Sequence, residues 1–429
     1  MTEPTRILMV SRHYWPHLSI DTACRDVRLA DALRRAGLTV EVWTPRYSAG
    51  WNDRLTHREV EVHRPLVASR GLWAGRRYGR QLRIWLDEHG GDYDIWFCTG
   101  LGEESAVVTR ADSAGRARKV IWHGGTGELA DHRVWSAAWG QRKLAAELNL
   151  ADAVVVSWAS AQRELLGQGV VADRLRRIEI GLPAGAAAAD PGDAAVGQSK
   201  SRTQAAGALA RVNGDFALSR ESMVVLACGQ MTAQGGMLTL SRAFASLLDD
   251  WADLRLWLIG DGPIRDPLHH YFRQQSVRQQ VAMPGTFVDF EDLHACADVL
   301  VVPSPADGLE DTLPAAAAAA IPLVVADSHD TRAFFNGTEQ SVEWFNPGSV
   351  ESLRAALHAC LVDPAGRRAE ARRLRRELLT RRPYQQTVGE FQQLFDSLTR
   401  TIERRSVGRA DGRTRPRFAF SSSRLPKPS

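Results

Sequence analysis

The residues best suited to chemistry in this chain of 429 stand where short apolar runs end. His123 follows Val120–Trp122 and precedes Gly124-Gly125, a turn that can carry an imidazole to the rim of a cleft. Two readings stay open for it: a group acting on a reacting centre, or a histidine hydrogen-bonded to loop backbone. Glu103 and Glu104 follow Gly100-Leu101-Gly102 at the end of another run. They suit a general base or, more plainly, the acidic first turn of a helix. Arg12, Arg242 and Arg265, with Arg25 beside them, are candidate phosphate contacts whose alternative is an ordinary surface arginine. Gly235, Gly236 and the segment 312–315 offer backbone N–H groups to an anion. Asp21 is a new polar contact or the N-terminal cap of the helix that follows it.

Such residues need strand ends to position them. Ile7–Val10, Val40–Trp43, Ile95–Phe97, Val120–Trp122, Val154–Val156 and Ile178–Ile180 read as buried strands. Amphipathic segments separate them, such as the one carrying Val27, Ala30 and Leu33 at three-residue spacing. A second alternating series runs through Met223–Ala227, Leu254–Ile259, Val299–Val302 and Pro322–Val325. Helical segments follow at Val350–Leu361, Ala365–Thr380 and Gln385–Ile402. Strand–helix alternation indicates parallel sheets wrapped on both faces, and ligands of such sheets bind beyond the carboxyl ends of the strands. The expected organisation is a first α/β domain over 1–184, a linker or surface excursion over 185–220 and a second α/β domain over 221–384. A helix over 385–403 then returns to the first domain, ahead of a disordered tail over 404–429.

Composition excludes several classes. A net charge of +4 is too small to imply a nucleic-acid partner. The five scattered cysteines contain no CxxC pair, so neither a zinc site nor a disulfide frame is expected, and each suits a small core position. No apolar run approaches the length of a membrane span, and the start lacks a secretory signal, so a cytoplasmic protein is expected. The segment 70–85 mixes arginine with Trp73, Tyr78 and Trp85; it suits weak contact with an anionic membrane surface, or a helix packing its aromatics inward.

The motifs resemble those of glycosyltransferase family 4. RILMVSRHYWP and LADALRRAGLTVEV in the first half are similar to the family's opening strand, helix and second strand. IWHGGTGE resembles its strand-end histidine turn. In the second half LACGQMTAQGG, LIGDGP, VAMPGTFVDFEDLHACADVLVVPS and AAIPLVVAD stand in family order and spacing. The resemblance implies a GT-B fold: two doubly wound, Rossmann-like domains facing a cleft, with a C-terminal helix returning to domain one. It also implies a retaining transferase using a nucleotide-diphosphate sugar, without metal or other cofactor, and an acceptor that is not identified.

The resemblance further implies a donor site at Gly229, Gln230, Gly235, Gly236, Asp307, Gly308, Leu309 and Ala315, with His123 at the reacting sugar. The chain departs from the family there. Gln230 and Gly235 stand where the family has Arg and Lys; Asp307 and Ala315 stand where it has two Glu. The first-loop glycine pair is replaced within Ser19-Ile20-Asp21-Thr22. Charge-assisted hydrogen bonds contribute about 1.5–3 kcal/mol each, so losing two weakens diphosphate binding about a hundred- to ten-thousand-fold unless something replaces them. Two main readings follow: a transferase with an unorthodox donor site, or an inactive pseudoenzyme that binds or activates a partner. An isomerase or phosphorylase-like activity on the same fold is a third.

Overall fold

The computed structural model describes residues 4–15, 22–68, 72–112, 117–124, 133, 140–183, 201–287, 290–306 and 309–410. Asp21, Gly125, Asp307, Gly308 and the tail from 411 onward lie outside the described residues.

The first sheet contains β1 (Arg6–Val10), β2 (Thr39–Trp43), β3 (Arg54–His57), β4 (Val60–His63), β5 (Ile95–Thr99), β6 (Arg118–Trp122), β7 (Ala153–Val156) and β8 (Leu175–Arg177). Their spatial order is β3-β4-β2-β1-β5-β6-β7-β8, parallel except for the β3–β4 pair. The second sheet contains β9 (Met223–Cys228), β10 (Leu254–Ile259), β11 (Val281–Gly285), β12 (Val299–Val302), β13 (Leu323–Ala326) and β14 (Glu343–Phe345). It is ordered β11-β10-β9-β12-β13-β14, and every pair is parallel. The central strands are continuous apolar runs because helices cover both faces, as at Ile7–Val10 and Val224–Ala227, all fully buried. Two separate sheets therefore form, each opening with the strand the sequence indicated.

The differences lie at edges. The β3–β4 hairpin turns at Arg58 and Glu59, both left-handed (φ 50° and 60°) and neither of the residue types that usually mark such a turn. The sheet's far edge is Leu175–Arg177, three residues ahead of the expected Ile178–Ile180. In the second sheet the two edge strands were not expected: β11 carries Pro284 and β14 has three residues. Within 185–220, the stretch Arg202–Val212 is a helix capped by Ser201, with Ala205 and Leu209 buried against the second domain. The last helix runs from Tyr384 to Ala410, past residue 404.

The helix Leu72–His89 buries Tyr78, Leu82 and Leu86, and leaves Arg76, Arg77, Arg80 and Arg83 exposed. Tyr78 and Trp85 both pack on Trp43, as the inward-packing reading of this segment anticipated. Among the described residues no helix is long and apolar enough to cross a membrane. Cys98, Cys296 and Cys360 are buried thiols, and Cys228 is half-buried.

The chain returns to domain one through the Tyr384–Ala410 helix. Its Val388, Phe391, Leu394 and Phe395 enter the same apolar cluster as Ile7, Phe97 and Trp122. The Phe391 ring lies 5.1 Å from Trp122 and 5.4 Å from Phe97, centroid to centroid. Phe391→Ala should therefore leave a cavity under the first sheet and cost about 3–5 kcal/mol in urea unfolding. A loss below about 1 kcal/mol would mean that this helix is not part of the domain's core.

Candidate functional site

Strand ends of the first sheet meet over a buried carboxylate. Asp26, in the helix Thr22–Arg35, accepts hydrogen bonds from Ser11 Oγ (2.7 Å), just past β1, and from Thr99 Oγ1, at the end of β5. Arg25 Nε lies 3.3 Å from Asp26 Oδ1, and its guanidinium stacks 3.8 Å from the Trp122 ring at the end of β6. Arg25 and Asp26 are almost wholly buried. Burial pushes the Asp26 carboxyl up, opposed by Arg25 and the two hydroxyl donors. Arg25 is thus committed to the floor of the cleft.

His123 continues directly from Trp122. Its backbone N–H donates to Val155 O (2.9 Å), extending the β6–β7 ladder by one rung, and the residue is 1% exposed. An imidazole shielded from water at a strand end fits either of its two readings.

Arg12, on the other side of Ser11, is engaged by acids. Its Nη1 lies 2.9 Å from Glu104 Oε1 and 3.3 Å from Glu103 Oε2, and its guanidinium sits 5.9 Å from the Tyr78 ring. Glu104 is buried and also accepts from Tyr78 Oη (2.7 Å). Burial works against the charged Arg12, but Glu104 and its neighbours outweigh it and hold the guanidinium more firmly protonated than usual. Burial and Glu104 together push the Tyr78 hydroxyl well up. Tyr47 Oη donates to Arg12 O (2.8 Å), fixing the turn. Glu104 therefore neutralises Arg12 in this arrangement instead of standing ready as a base. Glu103 opens the helix Glu103–Arg110, as its plainer reading anticipated.

The facing edge of the second sheet is built mainly from backbone. Gly229 (φ 150°), Gly260 (146°), Gly262 (154°) and Gly285 (94°) follow or end β9, β10 and β11. Gly229 N–H donates to Ile259 O, Gly260 N–H to Gly285 O, and Met231 N–H to Asp261 O, at 2.9–3.0 Å. The loop 229–236 is pressed onto the loop after β12: a Cβ at Gly236 (φ 74°) would clash with the Pro303 carbonyl. Gly229, Gln230, Gly235 and Gly236 thus gather at one place with Pro303-Ser304. Ala315, in the helix Leu309–Ala318, is partly exposed, whereas the Leu309 side chain is fully buried in the core.

The remaining arginines separate. Arg265 stays at the strand-end edge, its Nη2 3.4 Å from Met283 O and its Nη1 3.9 Å from Asp261. Arg242 is exposed in the last turn of the helix Met237–Ala245, at the opposite end from the amides near Gly236. Two acids were missed by sequence reasoning. Glu310, 3% exposed, stands in the first turn of Leu309–Ala318; an acid at a helix start, beside the loop, was its signal. Asp330 accepts from Ser160 Oγ across the two domains, a pairing that no local pattern announces.

Among the described residues, Glu41, Glu61 and His63 could gather round a metal ion. They lie along β2 and β4, and Arg6, Arg54 and Tyr93 already bind their carboxylates. Hydrogen bonding from His63, then from Tyr93, holds Glu41 down at about 2 against the cost of burial.

Residues 222–363 match the family described as glycosyl transferases group 1, and residues 27–181 match the glycosyl transferase 4-like domain. No curated protein matches the chain by sequence. Among solved structures, sucrose-phosphate synthase from Thermosynechococcus elongatus is similar with a TM-score of 0.70 at 18% identity, covering 92% of this chain and 100% of that one. The catalytic domain of starch synthase IV from Arabidopsis thaliana, bound to ADP and acarbose, gives 0.69 at 15% identity over 92% and 99%. Anabaena HepE in complex with UDP and glucose gives 0.68 at 15% over 92% and 100%. At these identities the likeness is one of fold, and that fold is GT-B.

Two substitutions at the second-domain edge should act in opposite directions. Gly236→Ala adds the left-handed cost of about 1–2 kcal/mol to a clash with Pro303, and should lower the melting temperature and loosen the loop. Ala320, just past the helix Leu309–Ala318, is left-handed (φ 53°) without being glycine. Ala320→Gly should raise stability by up to about 1 kcal/mol, the relief of strain exceeding the added freedom of the unfolded chain. Melting curves of the two variants check both signs.

Proposed function

The chain belongs to the group 1 glycosyltransferases, and from that premise we propose that it transfers a sugar, with retention, from a nucleotide-diphosphate donor to an acceptor on its first domain. One observation carries the reading: the second sheet keeps a glycine-built carboxyl edge, with the loop 229–236 pressed onto Pro303, at the place where such a donor binds. HepE, in its complexes with UDP and UDP-glucose, supplies the precedent for a uridine nucleotide on this fold.

The donor site is unorthodox in its charges. Gln230 and Gly235 offer no cation, and the amides at 229, 231, 232 and 235 already donate to backbone carbonyls, so the diphosphate is held by the N–H groups at 233, 234 and 236 and by Arg265, whose positive charge lies at the same edge. Ala315 offers no carboxylate to the ribose. Glu310 is the buried acid beside that position and replaces part of its polarity. His123 acts at the reacting sugar, in a site closed to water. Arg12, bound to Glu103 and Glu104, orients the acceptor side of the cleft instead of contacting phosphate.

A second reading has its own observation in support. Arg12 is saturated by acids, while Gln230, Gly235 and Ala315 supply no charge; an inactive subunit that binds or activates a partner would tolerate all four.

Two measurements separate the readings. In an active transferase, His123→Ala should lower turnover at least about a hundredfold while changing nucleotide affinity little. Equal loss of both, or no loss, would give His123 a structural role. Gln230→Arg should strengthen binding of a nucleoside diphosphate about tenfold by calorimetry, the yield of 1.4 kcal/mol from one added cation. Position 235 is a poor place for a second one: a Cβ there would lie 2.8 Å from Thr232 Oγ1 and 3.0 Å from Gln230 O. Absence of nucleotide binding in both the natural chain and a stably folded Gln230→Arg variant would support the inactive subunit.

A further inference from the structure

A cavity of about 200 Å³ lies where the chain crosses between the domains. Three pieces of structure wall it. Glu179 and Gly181 come from the end of domain one, Phe334 from the second domain, and Arg381, Arg382 and Thr387 from the returning segment. These pieces are the joint about which the two domains would move, so any change in domain angle changes the cavity.

Its electrostatics are unbalanced. Glu179 is matched twice, by Arg382 and by Arg177 (3.6 Å). Arg382 is largely buried over the Phe334 ring, at 5.0 Å. Arg381 is exposed and, among the described residues, makes no hydrogen bond or ion pair. Its guanidinium rests over Gly337, whose left-handed backbone (φ 78°) leaves room; a Cβ there would lie 3.0 Å from Arg381 Nη1. The wall thus carries two guanidinium groups, Arg381 and Arg382, against one carboxylate, Glu179, which Arg177 also pairs from outside the lining; the Arg381 fork and the Phe334 ring both border the cavity.

We propose that this hinge cavity binds a small organic anion, a phosphate monoester or a carboxylate, with Arg381 as its principal contact and domain closure as the property it biases. A guanidinium fork matches either oxyanion with two parallel hydrogen bonds. The anion stabilises whichever domain angle lets Arg381 and Arg382 both reach it, because a ligand shifts an equilibrium only by its differential affinity for the two states. None of its lining residues is among those assigned to the donor or to the reacting centre, so the proposal stands whether or not the chain is an active transferase.

The test uses the full chain and calorimetric titration with glycerol 3-phosphate, citrate and inorganic phosphate at fixed ionic strength, with chloride as the reference anion. One saturable site is expected for glycerol 3-phosphate or citrate. Arg381→Ala should weaken it at least about tenfold, the worth of one charge-assisted contact, and Arg381→Lys should give an intermediate loss. His123→Ala should leave it unchanged, as should saturating nucleoside diphosphate. Small-angle scattering should report a change in the radius of gyration on binding, absent in Arg381→Ala. Because Arg381 is exposed, its variants should melt with the natural chain. No binding beyond that of chloride, affinity indifferent to Arg381→Ala, or competition with nucleoside diphosphate would each overturn the proposal. Inorganic phosphate binding alone, without either organic anion, would also overturn it.

Discussion

The relation between the two domains depends on a short stretch where two backbone segments run side by side. Leu182 N–H donates to Arg382 O (2.8 Å), and Tyr384 N–H donates to Leu182 O (3.0 Å). Thr387 Oγ1 accepts from Gly181 N–H and donates to Glu179 O, both at 2.8 Å. The approach is so close that a Cβ at Gly181 would stand 2.6 Å from Pro383 O. Glycine at 181 is thus a packing requirement, not a turn requirement. With the outgoing and returning chains joined here, the last helix has one place to go, and Phe391 reaches Phe97 and Trp122 beneath the first sheet. The same joint leaves Ser160 opposite Asp330 and Trp158 near Phe334, so the domains also touch along the strand-end side.

Asp26 plays the corresponding part within domain one. A carboxylate buried this deeply is costly unless several donors satisfy it. Here Ser11, Thr99 and Arg25 do so, and each belongs to a different strand end or helix. The ends of β1, β5 and β6 are thereby held in one geometry, and the residues that follow them directly, Arg12 and His123, inherit it. Removing Asp26 alone would leave Arg25 buried without its counter-charge, which costs more than the pair contributes.

Much of this architecture was legible in the chain because buried parallel strands write themselves as unbroken apolar runs. Ile7–Val10, Val40–Trp43 and Val299–Val302 needed no partner information to be recognised. The edge strands were not legible, and each has a reason: Pro284 interrupts β11, β14 is three residues long, and the β3–β4 turn uses Arg58 and Glu59 where glycine or asparagine would have signalled it. Site residues divide in the same way. The strand-end positions of His123 and Gly229 were legible because the apolar runs before them located the strand ends. Pairings across the fold were hidden, since nothing in the order of residues says that Glu104 meets Arg12 or that Asp330 meets Ser160. The inward turn of the Leu309 side chain was also hidden, because a helix start beside a core buries a residue that its sequence neighbours place in a loop.

On the proposed reading, the second-domain edge substitutes backbone for side-chain charge. An arginine brings a full charge, but its field is screened and its side chain must be ordered when the ligand arrives. Amides of a loop already pinned at Gly229, Met231 and Pro303 carry only partial charges, yet their orientation is settled before binding. Such preorganised dipoles cost no rearrangement when charge develops on a leaving diphosphate. The weakness of the arrangement is range: dipoles act over a few ångströms, so the ligand must be seated before it is stabilised, whereas a cation attracts it from outside. On that reading, slow capture with adequate stabilisation after seating is the kinetic consequence of Gln230 and Gly235 standing here, with Arg265 left as a cation at the edge to draw an anion in.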